Sequence, residues 1–252
     1  MMHFLEDRPD SLLDELRIYI FDEFEIDILT RTVSRIIKRQ HWSRKRVKAR
    51  SAERNGPIRA MYRGRAATWC ARKICFVDES ASNERMGDRR YGWSHIGTEC
   101  IVDRSIKRSE RWSILPALGP EGYLDYLIHQ GSITADLFIG FMVERVLPKM
   151  VEQGLEILVL DNASIHHDKR FGPLCELYGV RIEFLPPYSP DFNPIESTFK
   201  DLKAWVRRNR SLIFDIVSFD GFIDFAVRQN MGRNAAVYYE ACGYTLDPKE
   251  GW

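Results

Sequence analysis

No apolar run in the 252-residue chain approaches the roughly 18 to 20 residues that a membrane-spanning helix needs. Ile157 to Leu160 is representative: short, and bounded by charge. A secretory signal is missing too, since MMHFLEDRPD introduces acid early and has no apolar stretch flanked by small residues. A soluble, intracellular protein is therefore expected. Cysteine is sparse. Cys70, Cys75, Cys100, Cys175 and Cys242 are odd in number, widely spaced and without a CxxC pair, which excludes a disulfide framework and a thiolate zinc site. Internal repeats and low-complexity tracts are absent as well. The last shortage is net charge. A formal +1 argues against nucleic acid, whose binders usually present a positive field to phosphate.

That last exclusion fails once the charge is located. Residues 1–30 carry a net −7, residues 31–73 a net +14, and residues 74–252 a net −6. A basic segment of 43 residues between acidic flanks suits a nucleic-acid-contacting part joined to something else, or a solvated basic face or localisation signal. With 44% hydrophobic residues there is enough material for one large domain, or a large and a small one.

The apolar positions Leu13, Leu16, Ile20 and Phe24, with Asp10 before them and Asp14 and Glu15 in the first turn, predict a capped amphipathic helix. A second helical pattern follows the acidic turn 25–27, with Val33, Ile36 and Ile37 inside and Arg31, Arg35, Lys38 and Arg39 outside. Two short helices, the second basic, predict a helix-turn-helix unit. The parts expected are a DNA-binding region at 1–47, a basic linker with one helix at 48–72, and a catalytic domain at 73–252. In the last, strands are expected at Ile74–Val77, Gly92–Ile101, Trp112–Leu118 and Tyr123–His129, then a helix from Thr134 to Met150. A strand over 155–160, a short helix near 171–178, a strand over 180–185 and a helix from Pro194 to Arg208 complete the pattern. It predicts an α/β fold with a mixed sheet flanked by helices, preceded by a small all-α part.

Two carboxylates end apolar strands: Asp78 after KICFV and Asp161 after EILVL. Strand ends of an α/β sheet open onto the crevice where ligands bind. Glu196 opens the next helix behind Asn193 and Pro194. Three convergent carboxylates suit a pair of hard divalent cations, Mg²⁺ or Mn²⁺, of the kind that supports phosphodiester cleavage. Glu196 also fits a plain capping role, with Asn193 as N-cap. Glu79 is a substitute ligand, although neighbouring strand residues point to opposite faces.

The strings FVDES (76–80), LVLDNASIHH (158–167) and FLPPYSPDFNPIES (184–197) resemble the three catalytic blocks of DDE transposases of the Tc1/mariner and bacterial insertion-sequence 630 type. The 34 residues between Asp161 and Glu196 match the Tc1-like spacing, and the resemblance covers roughly residues 9–246. It implies a ribonuclease H-like core in which Asp78, Asp161 and Glu196 hold two Mg²⁺ or Mn²⁺ ions, Asp78 bridging both, with no small-molecule cofactor. The implied chemistry is attack by water at a transposon end, then attack by the freed 3′-hydroxyl on target DNA. Double-stranded DNA is the implied partner, with a homodimer on paired ends, and the implied location is the nucleus of a eukaryote or otherwise the cytoplasm. Relatives carry a further, more N-terminal helix-turn-helix, so an N-terminally shortened member is expected. A transposase-derived DNA-binding protein that no longer cuts is the alternative.

For DNA, Thr32, Arg35, Arg39, Arg44, Lys45 and Arg46 are the candidates, mostly toward phosphate. Lys200 and Lys203, continued by Arg207 and Arg208, form a second basic stripe beside Glu196. Asn162 and His166 either line the site, His166 near phosphate, or cap the following helix. Tyr188 either stacks on a base or packs on the sheet edge. Pro186, Pro187 and Pro190 stiffen the loop before Glu196, since each fixes its own φ.

Overall fold

The computed structural model describes residues 1–45, 47, 54–83, 86, 88, 93–101, 111–210, 212, 216 and 218–246. The chain divides into two units, Met1–Ala52 and Glu53–Trp252.

In the larger unit, β1 (Ile74–Val77) is buried at every position because both of its faces are covered. Ile74 and Phe76 face one apolar cluster and Cys75 and Val77 the other, as the two-residue period of a strand requires. β5 (Ile157–Leu160) lies parallel to β1 with Val77 opposite Leu160, and β6 (Arg181–Phe184) lies parallel to β5. On the other side β3 (Trp112–Gly119) runs antiparallel to β1 and to β4 (Gly122–Gln130). The short β2 (Ser80–Ser82) continues along the same edge of β3 as β1, in the same register. The interruption between them is residues 78 and 79, and the register puts Asp78 opposite Pro116, a residue with no N–H to give to a ladder. Thus a six-stranded mixed sheet breaks at the first candidate carboxylate.

Helices cover both faces. One face carries α5 (Ala135–Phe141), a π turn (Met142–Val146), α6 (Leu147–Glu152) and α7 (Phe171–Leu177). The expected helix over 134–150 is thus present but widened. Pro148 lacks an N–H and its ring crowds the preceding turn, which a π turn relieves. The opposite face carries α4 (Gly56–Ala66), α8 (Ile195–Arg208) and α10 (Ala235–Ala241), while α9 (Phe219–Asn230) packs with the later part of α8 over β3 and β4.

α4 is the helix expected within the basic stretch 48–72; its Tyr62 is buried against the sheet and its Arg59 is also buried. Other expectations need correction. The strand expected over 92–101 is not formed in its described residues, 93–101. Trp93 and Ile96 are fully exposed there, Gly97 is left-handed at φ +86°, and Thr98 turns back onto the His95 carbonyl. In the smaller unit Asp10 does not cap the helix.

That unit holds α1 (Met2–Asp7), which the apolar spacing did not reveal, α2 (Leu13–Phe24) and α3 (Thr30–Arg39). A turn in which Ser11 bonds the Arg8 carbonyl delays α2, so Leu12 is its N-cap and Glu15 accepts the Leu12 N–H at 2.8 Å. Leu5, Leu16, Ile20 and Val33 form the core, whereas Leu13 and Phe24, expected inside, are exposed. Arg17 and Asp27 join α2 to the loop before α3 at 2.8 Å.

Candidate active site

The apolar runs of β1 and β5 each end where an aspartate leaves the sheet. The two strands are parallel neighbours in matched register, so Asp78 and Asp161 emerge side by side, about one strand spacing of 4.8 Å apart at the backbone. The chain then passes through β6, whose ladder is continued by Leu185 N–H to Leu160 O. It returns over these strand ends as the loop 186–194. Glu196, in the first turn of α8, reaches the same place. Asp78, Asp161 and Glu196 line one cavity of about 430 Å³, together with Asn162, Tyr188 and Asn193. Glu79 is absent from that lining and half-buried.

Each carboxylate is held differently. Asp78 accepts the Glu79 N–H on one oxygen and the Asn193 side-chain amide on the other, both at 2.7 Å. Asn193 therefore ties the end of β1 to the start of α8. Its own carbonyl oxygen accepts the Ile195 N–H at 3.3 Å. Glu196 does not close the capping arrangement that its position allows, because the helix N-cap is Pro194 with no side-chain cap bond. Asp161 accepts the Ala163 N–H on Oδ1 at 2.9 Å, and His166 Nδ1 approaches the same oxygen at 2.8 Å.

The electrostatics separate the two aspartates. Burial, and then the charges of Asp161 and Glu196, push the Asp78 carboxyl up to about 7. For Asp161 burial acts the same way, but the His166 ring and the Ala163 N–H outweigh it and hold that carboxyl below the ordinary range. Among the described residues no Lys or Arg pairs with any of the three; the basic side chain in contact with one of them is the His166 ring. Nor do any three His, Cys, Asp or Glu side chains among the described residues converge closely enough to hold a metal ion. The donor chemistry nevertheless fits a hard divalent cation. Every donor is a carboxylate oxygen, and the burial and mutual repulsion that raise Asp78 are what such an ion offsets.

The remaining candidates fall in three groups. Asn162 lines the cleft, and its amide donates to Leu185 O at 2.5 Å, tying β5 to the loop. Tyr188 is 56% exposed in a left-handed conformation at φ +53° and lines the cleft. His166 is 2% exposed, its ring turned away from solvent. Of the DNA candidates, Arg35, Arg39, Arg44 and Lys45 are exposed and Thr32 half-buried, while Arg46 lies outside the described residues. Lys200 is exposed and Lys203 half-buried on α8.

One group of site residues was missed in the sequence. Arg59 on α4 grips Asp191 with both terminal guanidinium nitrogens, at 3.1 and 2.7 Å, and Arg54 adds a third bond at 2.6 Å. The Arg59 guanidinium also covers the Phe192 ring at 4.1 Å. Tyr62 stacks on the same ring, and Tyr244 donates to the Phe192 carbonyl at 2.9 Å. The loop that delivers Glu196 is thus clamped by α4 and the C-terminal segment. The sign that could have revealed it is Asn55-Gly56-Pro57, an N-cap followed by Pro near the helix start. The Asn55 side chain does accept the Ile58 N–H at 3.1 Å.

Residues 73–215 match the family model described as DDE superfamily endonuclease. The chain belongs to that family. The fold of this DDE endonuclease is also that of solved mariner transposases. The Mos1 mariner paired-end complex with Mn is 13% identical with a TM-score of 0.71, over 97% of this chain and 74% of that one. The Mos1 strand transfer complex is 13% identical with a TM-score of 0.69, over 96% and 72%. No curated protein matches the chain. The family and the ribonuclease H-like fold implied by the three sequence blocks are therefore met.

Proposed function

We propose that this DDE endonuclease cuts DNA phosphodiesters at transposon ends and transfers the freed 3′-hydroxyl to target DNA, using divalent cations held by Asp78, Asp161 and Glu196. The observation that carries the reading is the meeting of these three carboxylates in one cleft at the ends of parallel β1 and β5, within the segment matched by the endonuclease family.

When bound, Mg²⁺ or Mn²⁺ ions supply charge for an attacking and a leaving oxygen in an in-line displacement. Asp161 would present to them the oxygen that the protein leaves free. Asp78 would exchange its raised affinity for a proton for a cation. Glu196 would complete the set from α8, whose Lys200 and Lys203 attract the flanking phosphates. Arg35, Arg39, Arg44 and Lys45 of the smaller unit would hold the duplex, mostly through phosphate. Two copies of the chain would pair two DNA ends.

A purified chain should nick a duplex bearing its flanking repeats in Mg²⁺ or Mn²⁺ but not in EDTA, and Asp161→Asn should abolish the nicking. Undiminished cleavage by that variant would sink the assignment. A second reading has one observation in its favour: among the described residues the carboxylates stop short of a closed metal cluster. A transposase-derived binder that no longer cuts would bind DNA in a salt-sensitive, metal-independent way and show no nicking.

A further inference from the structure

His166 is a polar ring set into an apolar wall. Its side chain is fully buried, and its ring centroid lies 4.7 Å from that of Phe138 on α5. The short turn Ser164–His167 behind β5 points it inward, while the adjacent His167 stacks on Phe184. Its two nitrogens meet opposite surroundings. Nδ1 stands 2.8 Å from Asp161 Oδ1 and 3.3 Å from the Asp161 carbonyl oxygen, both acceptors. Nε2 is buried with no hydrogen-bond partner.

The position of the ring proton follows. A proton on Nε2 would be an N–H stranded in an apolar wall, and Nδ1 would then set a lone pair against two oxygen lone pairs. Both are costly. A proton on Nδ1 serves both acceptors and leaves at Nε2 only a bare lone pair. Oδ1 of Asp161 also accepts the Ala163 N–H. One oxygen is thus occupied twice by the protein, and the other is left for the cleft.

We infer that His166 is a positioning residue: its Nδ1–H, together with the Ala163 N–H, locks the Asp161 carboxylate so that Oδ1 is committed to the protein and Oδ2 is the oxygen offered to a divalent cation. This deepens the endonuclease reading and rests on it. The same division of labour orients ligands in metal centres generally, where the loss of such a partner weakens metal binding about 10- to 100-fold.

The test uses the full chain and two substitutions that each keep one ring nitrogen. Asn places its amide where Nδ1 was and Gln where Nε2 was. Mn²⁺ binding, followed by titration calorimetry without DNA, should stay within about threefold of wild type in His166→Asn and weaken about 10- to 100-fold in His166→Gln. Equal losses in the two variants, or no loss in either, overturn the proposal. Nitrogen NMR of the imidazole, recorded on metal-free wild type, reads the tautomer directly: a proton on Nδ1 supports the proposal and a proton on Nε2 overturns it. If the wild type binds no Mn²⁺, the metal reading of Asp161 falls, and the ring spectrum alone decides whether His166 holds the carboxylate.

Discussion

The ion pair between Arg59 and Asp191 should respond unequally to the loss of its two halves. Arg59 is only 7% exposed, while the Asp191 side chain is 49% exposed. Asp191→Asn leaves a buried guanidinium with no anion. For a fully buried pair that costs about 3 to 5 kcal/mol, and solvent access on the Asp191 side brings it to about 2 to 3 kcal/mol. Arg59→Met keeps an apolar stem over Phe192 and leaves Asp191 with Arg54 and water, which costs about 1 kcal/mol. For a domain of this size each kcal/mol moves Tm by about 2 to 4 °C. Asp191→Asn should therefore lower Tm by about 4 to 12 °C and Arg59→Met by about 2 to 4 °C, and the double variant should melt above Asp191→Asn alone. The assay is thermal unfolding at pH 7.5 in EDTA, with DNA nicking measured in parallel. An Arg59→Met loss equal to that of Asp191→Asn, or simple additivity in the double variant, would refute the claim that the buried cation is the costly partner.

Asp78 should destabilise the metal-free fold at neutral pH. Its folded-state carboxyl is raised to about 7 against about 3.9 in the unfolded chain. Between those values the folded state holds a proton that the unfolded chain has released, so stability falls as pH rises through that window. In EDTA Asp78→Asn should melt above wild type at pH 8, with the gap closing toward pH 4, and added Mg²⁺ should raise the Tm of the wild type only; a variant less stable at pH 8 contradicts this. At the β3–β4 hairpin a Cβ on Gly122, at φ +131°, would lie 2.6 Å from the Met231 carbonyl oxygen. Gly122→Ala should cost at least about 2 kcal/mol. Gly140, inside α5 with open space around it, should gain about 0.5 to 1 kcal/mol as Ala. Equal melting points for the two variants would show that the hairpin tolerates the clash.

The cleft was legible where chemistry coincides with local pattern. ICFV and ILVL are buried on both faces, so the aspartates that end them could only lie at a sheet edge, and the prolines before Glu196 announced a fixed loop. What escaped depends on distant partners. Arg59 reads as one more cation in a basic stretch, and nothing local says that it turns inward to an aspartate 132 residues away. His166 reads as a polar residue beside an active-site aspartate, and it is buried against Phe138, which belongs to another helix. Trp93 and Ile96 show the converse. Apolar residues predict a strand only when a partner strand exists to cover them.

The charge division also takes on a different meaning. The basic segment 31–73 is not one surface for DNA, because its later cations are used inside the larger unit: Arg54 and Arg59 on Asp191, Arg65 on Glu183 at 3.5 Å, Lys73 on Glu156 at 2.5 Å. On the proposed reading, the exposed Arg35, Arg39, Arg44 and Lys45 would remain for phosphate. At the cleft the balance is opposite. Three carboxylates without a Lys or Arg partner among the described residues would repel a polyanion, and would repel it most where the reading places the scissile phosphate. A basic unit to hold DNA and a cation in the cleft are then two answers to one constraint. On the proposed reading, the carboxylates that would hold the metal repel the substrate until the metal is there, so binding and cutting would fall to different parts of the chain.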